Sequence, residues 1–542
     1  MLIRRFAVAV AVLVGTTSGH ARPGSMPLLP GLGDVHHAVS TQNPLAQKFF
    51  DEGLALVYGF NHEAAREAFK HAAELDPNLA MAWWGLALTL GPNYNFPADP
   101  ARQQQAYEAV QRAISLQEGT SQAERAYIQA LAFRYAKDPK ADVNQLAIGY
   151  RDAMSKLVKQ YPDDLDAATL YAESLMNLHP WKLWLPDGKP NEGTEEIVAV
   201  LESVLERDPN HLGANHYYMH AVEASPHPER GLASAARIEK LAPAAGHLMH
   251  MPSHIYARVG DHLASTRANA GAVATDEKFF RAISQPGAEA FMLYLHDLQF
   301  LVYGHCMAGN WPEAKRAADK LVAQVWPRLA EMSMLEGFLP TPLFVLLTFE
   351  RWNEILSVAP PDRSQIFATA NWHFAHAMAL AATGKSAEAQ EESILFVSGL
   401  GKLPRDASYD SLNSVADIAR VQENLLAAMI KRGSGAAVDE TAEAFQRAVA
   451  AEDALNYNEP PSWYPPIRPM LGEFLLKEER ASAAEKVFRS ALEKSPRYPR
   501  ALLGLRESLK AEKQFYEADL VDQQLSKLKQ NAAASVQDRH RK

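Results

Sequence analysis

An all-α array of stacked helix pairs is the fold class this sequence predicts, on three observations. Small residues, aromatics and prolines recur at fixed offsets: Gly53, Ala65, Phe69, Ala72 and Pro77 near one end, and Ala484, Phe488, Ala491 and Pro496 near the other. Two histidine pairs, His216 with His220 and His250 with His254, stand 34 residues apart. No alternating strand pattern competes with the helical period anywhere along the chain. A period of that length belongs to a repeat of two helices and a turn, too small to bury its own apolar face and stable only when stacked.

In chain order, the first residues have the makings of a secretory signal. Arg4 and Arg5 precede an apolar run from Phe6 to Val14, and Gly19-His20-Ala21 offers a small-x-small cleavage site, so residues 1–21 are expected to be removed. The run is too short to span a bilayer. Residues 22–45, with Pro23, Gly24, Pro27, Pro30, Gly31 and Gly33, are expected to be a flexible linker. The array is expected over 46–530, with a disordered tail from 531 to 542. Extra segments interrupt it at Gly91–Pro97, His179–Asn191, Phe279–Ala290 and Asn456–Pro469. Insertions in a repeat protein tend to emerge on one face, often the binding face.

Within the array, residues 46–79 carry the packing residues named above, and the next unit opens with Trp83, Leu86, Ala87 and Leu90. Pro162, Pro209 and Pro496 close further units, and Gly309 with Ala314 and Gly384 with Ala389 mark later turns and second helices. These residues resemble the tetratricopeptide repeat (TPR) family, whose signature opens W-x2-L-G-x2-Y and closes on proline. The resemblance covers most of the chain and implies a right-handed α-solenoid. It also implies that the first helix of each unit lines a concave groove.

Counted from each closing proline, that resemblance turns His216, His220, Glu223, His247, His250, His254, His296 and Glu173 towards the groove. Residues 211–262 hold eight of the 19 histidines. A spacing of four puts two imidazoles one turn apart on one helix face, and equal positions on adjacent repeats bring such pairs together. Imidazole and carboxylate are the donors for a divalent transition metal: zinc, copper or iron. Pro252, between His250 and His254, is expected to start a helix and to put His250 at its edge. A zinc-peptidase motif is absent, since Tyr217 stands where its glutamate would. Histidines at helix interfaces commonly satisfy backbone or hydroxyl groups instead. A groove that binds an anion through imidazoles is the other reading of the same residues.

Trp84, Asn93, Asn95, Tyr217, Tyr256, Arg258, Trp181, Trp184, Trp463 and Tyr464 are the candidate walls of a substrate pocket. Each taken singly also fits inter-helix packing. His62 is expected to be solvated. Cys306 is the only cysteine, so no internal disulfide can form. With Lys+Arg 54 against Asp+Glu 64, the net charge is −10, which disfavours nucleic acid as a partner. No phosphate-binding glycine loop and no G-x-S-x-G elbow is present. The expected protein is therefore a periplasmic or secreted solenoid with a histidine-bound metal in its groove. A small molecule or peptide is its ligand, and a catalytic role for the metal is left open. The alternative is a non-enzymatic scaffold that binds a peptide or partner protein.

Overall fold

Helix ends in this chain fall where capping side chains and prolines put them. Asn43 accepts from the backbone N–H groups of Leu45 and Ala46 and starts the helix Pro44–Tyr58, with proline at a first-turn position that has no use for an N–H. Ser121 with Glu124, and Ser414 with Asp417, form reciprocal capping boxes at Gln122–Ala132 and Val415–Ser434. Turns of a few residues join successive helices, as at Gly59–Asn61 between Pro44–Tyr58 and His62–Leu75. Connections that short force neighbours to run antiparallel.

The computed structural model describes residues 28–97, 99–282, 287–404 and 407–539. The expected signal sequence, residues 1–21, lies outside them. Helix pairs follow one another from Pro44–Tyr58 to Phe515–Arg539, each packed chiefly on its chain neighbours. Among the described residues there is no strand, only two isolated bridges. No described helix is long and apolar enough to cross a membrane. The array is a TPR-like α-solenoid, as the sequence predicts.

The repeat is visible in its packing. A Cβ at Gly53 or Gly85 would overlap the ring of Phe69, and a Cβ at Gly472 or Gly504 would overlap that of Phe488. In both places the phenylalanine stands sixteen residues from each glycine, so one ring fills the notch of its own unit and of the next. The apolar interior falls into two main clusters, one ending at Ile255 and the other containing Ala257 and Phe300. The helix that carries His254 crosses their seam.

Three expectations about boundaries need correction. Residues 28–45, expected as a flexible linker, are fastened along the array. Leu32 is buried, Ser40 donates its N–H to Glu124, and Thr41 donates its hydroxyl to Asp76. Composition misled because glycine and proline also suit an extended segment whose backbone N–H groups donate to side chains of the array, as Leu29, His37, Val39 and Ser40 do. The expected tail is helical to Arg539, in keeping with three consecutive alanines at 532–534. The insertion expected at 279–290 is largely helix, since His262–Ala282 and Ala288–Met307 run into it from both sides.

His37 and Asp166 hold the N-terminal segment most directly, with His37 Nδ1 2.8 Å from Asp166 Oδ2. His211 and the hydroxyl of Tyr58 also bind Asp166. Burial would raise the Asp166 carboxyl, but hydrogen bonds from His211 and His37 outweigh it and hold the pKa below the ordinary value. Burial would lower His37, but Asp166 outweighs it and raises the pKa. The Asp166 contribution is therefore present above about pH 4 and lost as pH falls below it. The His37 contribution is present below about pH 6.5 and lost as pH rises through its folded value. Hydrogen-exchange protection at the amides of His37 and Ser40 should peak between those limits, and Asp166→Asn should flatten the profile. A pH-independent profile in the wild-type chain would contradict this account of the anchor.

Candidate metal centre

Six imidazoles meet inside the solenoid. His216 and His220 come from the helix Leu212–Glu223. His247 and His250 come from Gly246–His250, His254 from Pro252–Arg258, and His296 from Ala288–Met307. Pro252 does start a helix, as its lack of an N–H requires, and His250 closes the short helix before it. Met251 between them keeps helical dihedrals (φ −51°, ψ −38°), so His250 and His254 still share a face. Ring centroids lie 4.9 Å apart for His216–His220, 5.0 Å for His216–His247, 4.7 Å for His250–His254 and 4.7 Å for His250–His296.

Hydrogen bonds on the outer nitrogens set the tautomers. His216 donates from Nδ1 to the carbonyl of Tyr58, which is free because it ends a helix. His220 and His254 both donate from Nδ1 to Glu223, one to each carboxylate oxygen. His250 donates from Nδ1 to Asn269 Oδ1, whose amide is oriented by its own donation to the carbonyl of Ser265. Nε2 of His216, His220 and His250 is thereby left with a lone pair, and so is that of His254 when its ring is neutral. This is the arrangement in which an outer carboxylate or carbonyl orients a metal-binding histidine.

Those lone pairs face inward. Nε2 of His216, Nε2 of His220 and both nitrogens of His247 are buried, with no hydrogen-bond partner among the described residues. Nε2 of His250 lies 2.7 Å from Nε2 of His254, a distance at which two lone pairs repel unless a proton or a cation stands between them. His254 can supply that proton, since Glu223 outweighs burial and raises its pKa. Burial holds His216, His247 and His250 well below the ordinary imidazole value and pushes His296 down to about 3. These four are neutral near pH 7. Burial would raise Glu223, but His254 and His220 bring it down to about 2, so it is anionic.

Aromatic side chains close the cluster. Phe60 stacks on His220 and His247 at 5.7 and 5.8 Å, and Tyr94 and Trp181 lie 5.0 and 5.7 Å from His220. Phe60 and Trp181 have φ of 54° and 61°, a left-handed conformation that bulky residues rarely adopt and that costs about 1–3 kcal/mol. Both bring a ring to the same imidazole, Phe60 stacked on it and Trp181 in a T-shaped contact. Phe60, Asn269 and Phe300, which packs on His250 and His254, carried no sequence signal for this site. Only the insertion at Gly91–Pro97 hinted at Tyr94.

Other candidates stand apart. Glu173 is absent from the cluster: the buried guanidinium of Arg134 lies 3.9 Å from it, and Asn177 donates to the same oxygen. Equal repeat position predicted convergence, but Arg134 captures the carboxylate first. Trp84 packs on Phe50 and Tyr127; Trp463 and Tyr464 pack on Phe344. Asn93 caps its own loop by accepting from Asn95 and Phe96. Tyr217 stacks under Phe60, and Trp184 donates to the carbonyl of Ala221. Tyr256 pairs with Glu239, while Arg258 donates to the carbonyl of Glu223 and lies over Tyr457. His62, expected to be solvated, is buried beside Arg102 and Glu289, and burial with Arg134 pushes its pKa down to about 3. Cys306 lines a separate cavity of about 650 Å³, and burial pushes its thiol up to about 12, which suits no nucleophile. His37, Asp164 and Asp166 also gather within 4.8 Å, but hydrogen bonds from Tyr127, Tyr58 and His211 satisfy them, and they read as the anchor described above.

Gly246, ahead of His247, is a close approach. A Cβ there would collide with the Asp276 carboxylate. Gly246→Ala should destabilise the chain by about 1–3 kcal/mol in urea unfolding, as overpacking does. Gly119→Ala, where a Cβ meets nothing within 4 Å, should cost far less. Equal costs at the two positions would contradict the packing described.

No family model matches the chain, and no curated protein matches it. Among solved structures it is similar to a human IFIT1 dimer with m7Gppp-AAAA, at 12% identity and TM-score 0.33, over 90% of this chain and 91% of that one. It is also similar to the APC/C hetero-tetramer Cut9–Hcn1, at 13% and 0.30 over 89% and 76%, and to yeast Tom70, at 10% and 0.28 over 87% and 90%. At these TM-scores the likenesses carry no argument about ligands or partners. The solenoid assignment rests on this chain's own helix pairs and interlocking rings.

Proposed function

We propose that this chain binds a first-row transition-metal ion at the buried histidine cluster and uses it in a metal-dependent reaction. The observation that carries this reading is the group of inward nitrogens on His216, His220 and His247, buried, within 4.8 Å of one another and without hydrogen-bond partners among the described residues. An unsatisfied buried polar atom costs about 1–3 kcal/mol, and a shared cation is the ligand that offsets several at one point. The rings are neutral, as ligands must be. Imidazole donors favour zinc, copper, iron or nickel over magnesium or calcium. Three protein donors leave a coordination position for water or substrate, the pattern of a catalytic rather than a structural ion. Tyr94 and Trp181, stacked at 5.3 Å, support a small organic substrate beside that position.

Protein purified without a histidine tag should carry stoichiometric metal by elemental analysis. His220→Ala and His254→Ala should each weaken retention at least about tenfold while helicity by circular dichroism is kept. A wild-type chain that holds no metal, and takes up neither Zn²⁺ nor Cu²⁺ on reconstitution, would sink the reading and leave a partner-binding scaffold.

Export is proposed on residues 1–21 alone. N-terminal sequencing of periplasmic or secreted material should begin near Arg22, and an intact Met1 in that fraction would count against cleavage.

A further inference from the structure

Taking the metal reading above as its basis, we infer that the cluster is built for two metal ions rather than one, each held by three histidines. The first set is His216, His220 and His247; the second is His250, His254 and His296. Within each, the donor atoms lie inside 4.8 Å of one another.

One ion cannot gather all six. Metal–nitrogen bonds of about 2.0–2.1 Å put two donors of one ion about 3–4 Å apart, so the 2.7 Å between Nε2 of His250 and Nε2 of His254 must open slightly when the second ion binds. Among the described residues the six histidines gather only as two groups of three whose donor atoms lie within 4.8 Å of one another, and no larger group of them does. The two sets touch at His220–His254 and His247–His250, with centroids 5.8 Å apart in both cases, so the two ions would be near neighbours.

Glu223 stands at the boundary. One of its oxygens accepts from His220 in the first set and the other from His254 in the second. Both carboxylate oxygens are therefore engaged on outer Nδ1 atoms, and the Nε2 atoms of both rings point away from it. Glu223 is thus a positioning residue shared by two sites rather than a ligand of either.

Carboxyl groups line the outer side of the second set. Asp297 is 0% exposed, its Oδ1 lies 3.1 Å from His250 Nδ1, and it shares a hydrogen bond with Asp276; burial and that neighbour hold its pKa well above the ordinary carboxylate value. Glu459, 4% exposed, lies near His254 from the insertion at 456–469 and accepts from the Tyr457 hydroxyl, and burial pushes its pKa up to about 7. A carboxyl group beside the outer nitrogen of a metal-binding histidine orients the ring.

The test is metal stoichiometry on the full-length, untagged chain, stripped with EDTA and reloaded separately with Zn²⁺ and Cu²⁺. Wild type should bind two ions per chain. His216→Ala with His247→Ala should bind one, and so should His250→Ala with His296→Ala. Paramagnetic resonance of the Cu²⁺ form should give a spin-coupled or dipolar-broadened signal in wild type and an isolated Cu²⁺ signal in each half-site variant. The wild-type spectrum keeps the test decisive even if a variant fails to fold. One ion per wild-type chain, with an isolated signal, would overturn the two-ion inference and leave the metal reading standing. No ion in any form would overturn both.

Discussion

The Glu223 carboxylate is the constraint on which the histidine cluster depends. A buried anion persists only if it is paired and hydrogen-bonded, and breaking such a pair costs several kcal/mol. Glu223 is 1% exposed and meets its need through two imidazole N–H groups, His220 on its own helix and His254 on Pro252–Arg258 in the next unit. That pairing fixes the register of Leu212–Glu223 against Pro252–Arg258. It also fixes the tautomer of both rings, and hence the direction in which their free nitrogens point. Arg258, donating to the backbone carbonyl of Glu223, ties the helix end to the insertion that carries Tyr457.

Around this centre left-handed turns at Phe60 and Trp181 bring both rings to His220, and Gly246 leaves room for the Asp276 carboxylate. The turn at Phe60 is also a device of the array, since Glu350, Glu479 and Lys513 adopt the same conformation between helices elsewhere. Capped helix starts, glycine notches and phenylalanine rings at both ends obey one rule. The cluster also lies where the two main apolar cores meet, so its side chains are among the contacts that join the halves of the array.

Part of this site was legible before any coordinates. Equal position on adjacent repeats brought His216 and His220 against His247, His250 and His254, because helices of a solenoid stack with little change in register. The same logic failed for Glu173, where Arg134, a residue outside the repeat pattern, competes for the carboxylate. It could say nothing of Tyr58, whose backbone carbonyl orients His216 from 158 residues away. Trp463 and Tyr464 looked like pocket walls because proline-rich insertions are usually exposed, yet they are core residues against Phe344.

The sequence by itself determined the helix pairs, the 34-residue period and the concentration of histidines in one stretch, because these rest on local propensity and on spacing along a single helix. Only the tertiary structure decided which nitrogen of each ring faces inward. That depends on acceptors such as the Tyr58 carbonyl and Asn269 Oδ1, supplied by segments remote in the chain. It likewise decided that residues 28–45 are fastened and that Phe60, Tyr94 and Trp181 cover the cluster. Partner identity across a packed interface is set by three-dimensional proximity, and no periodicity in one dimension encodes it.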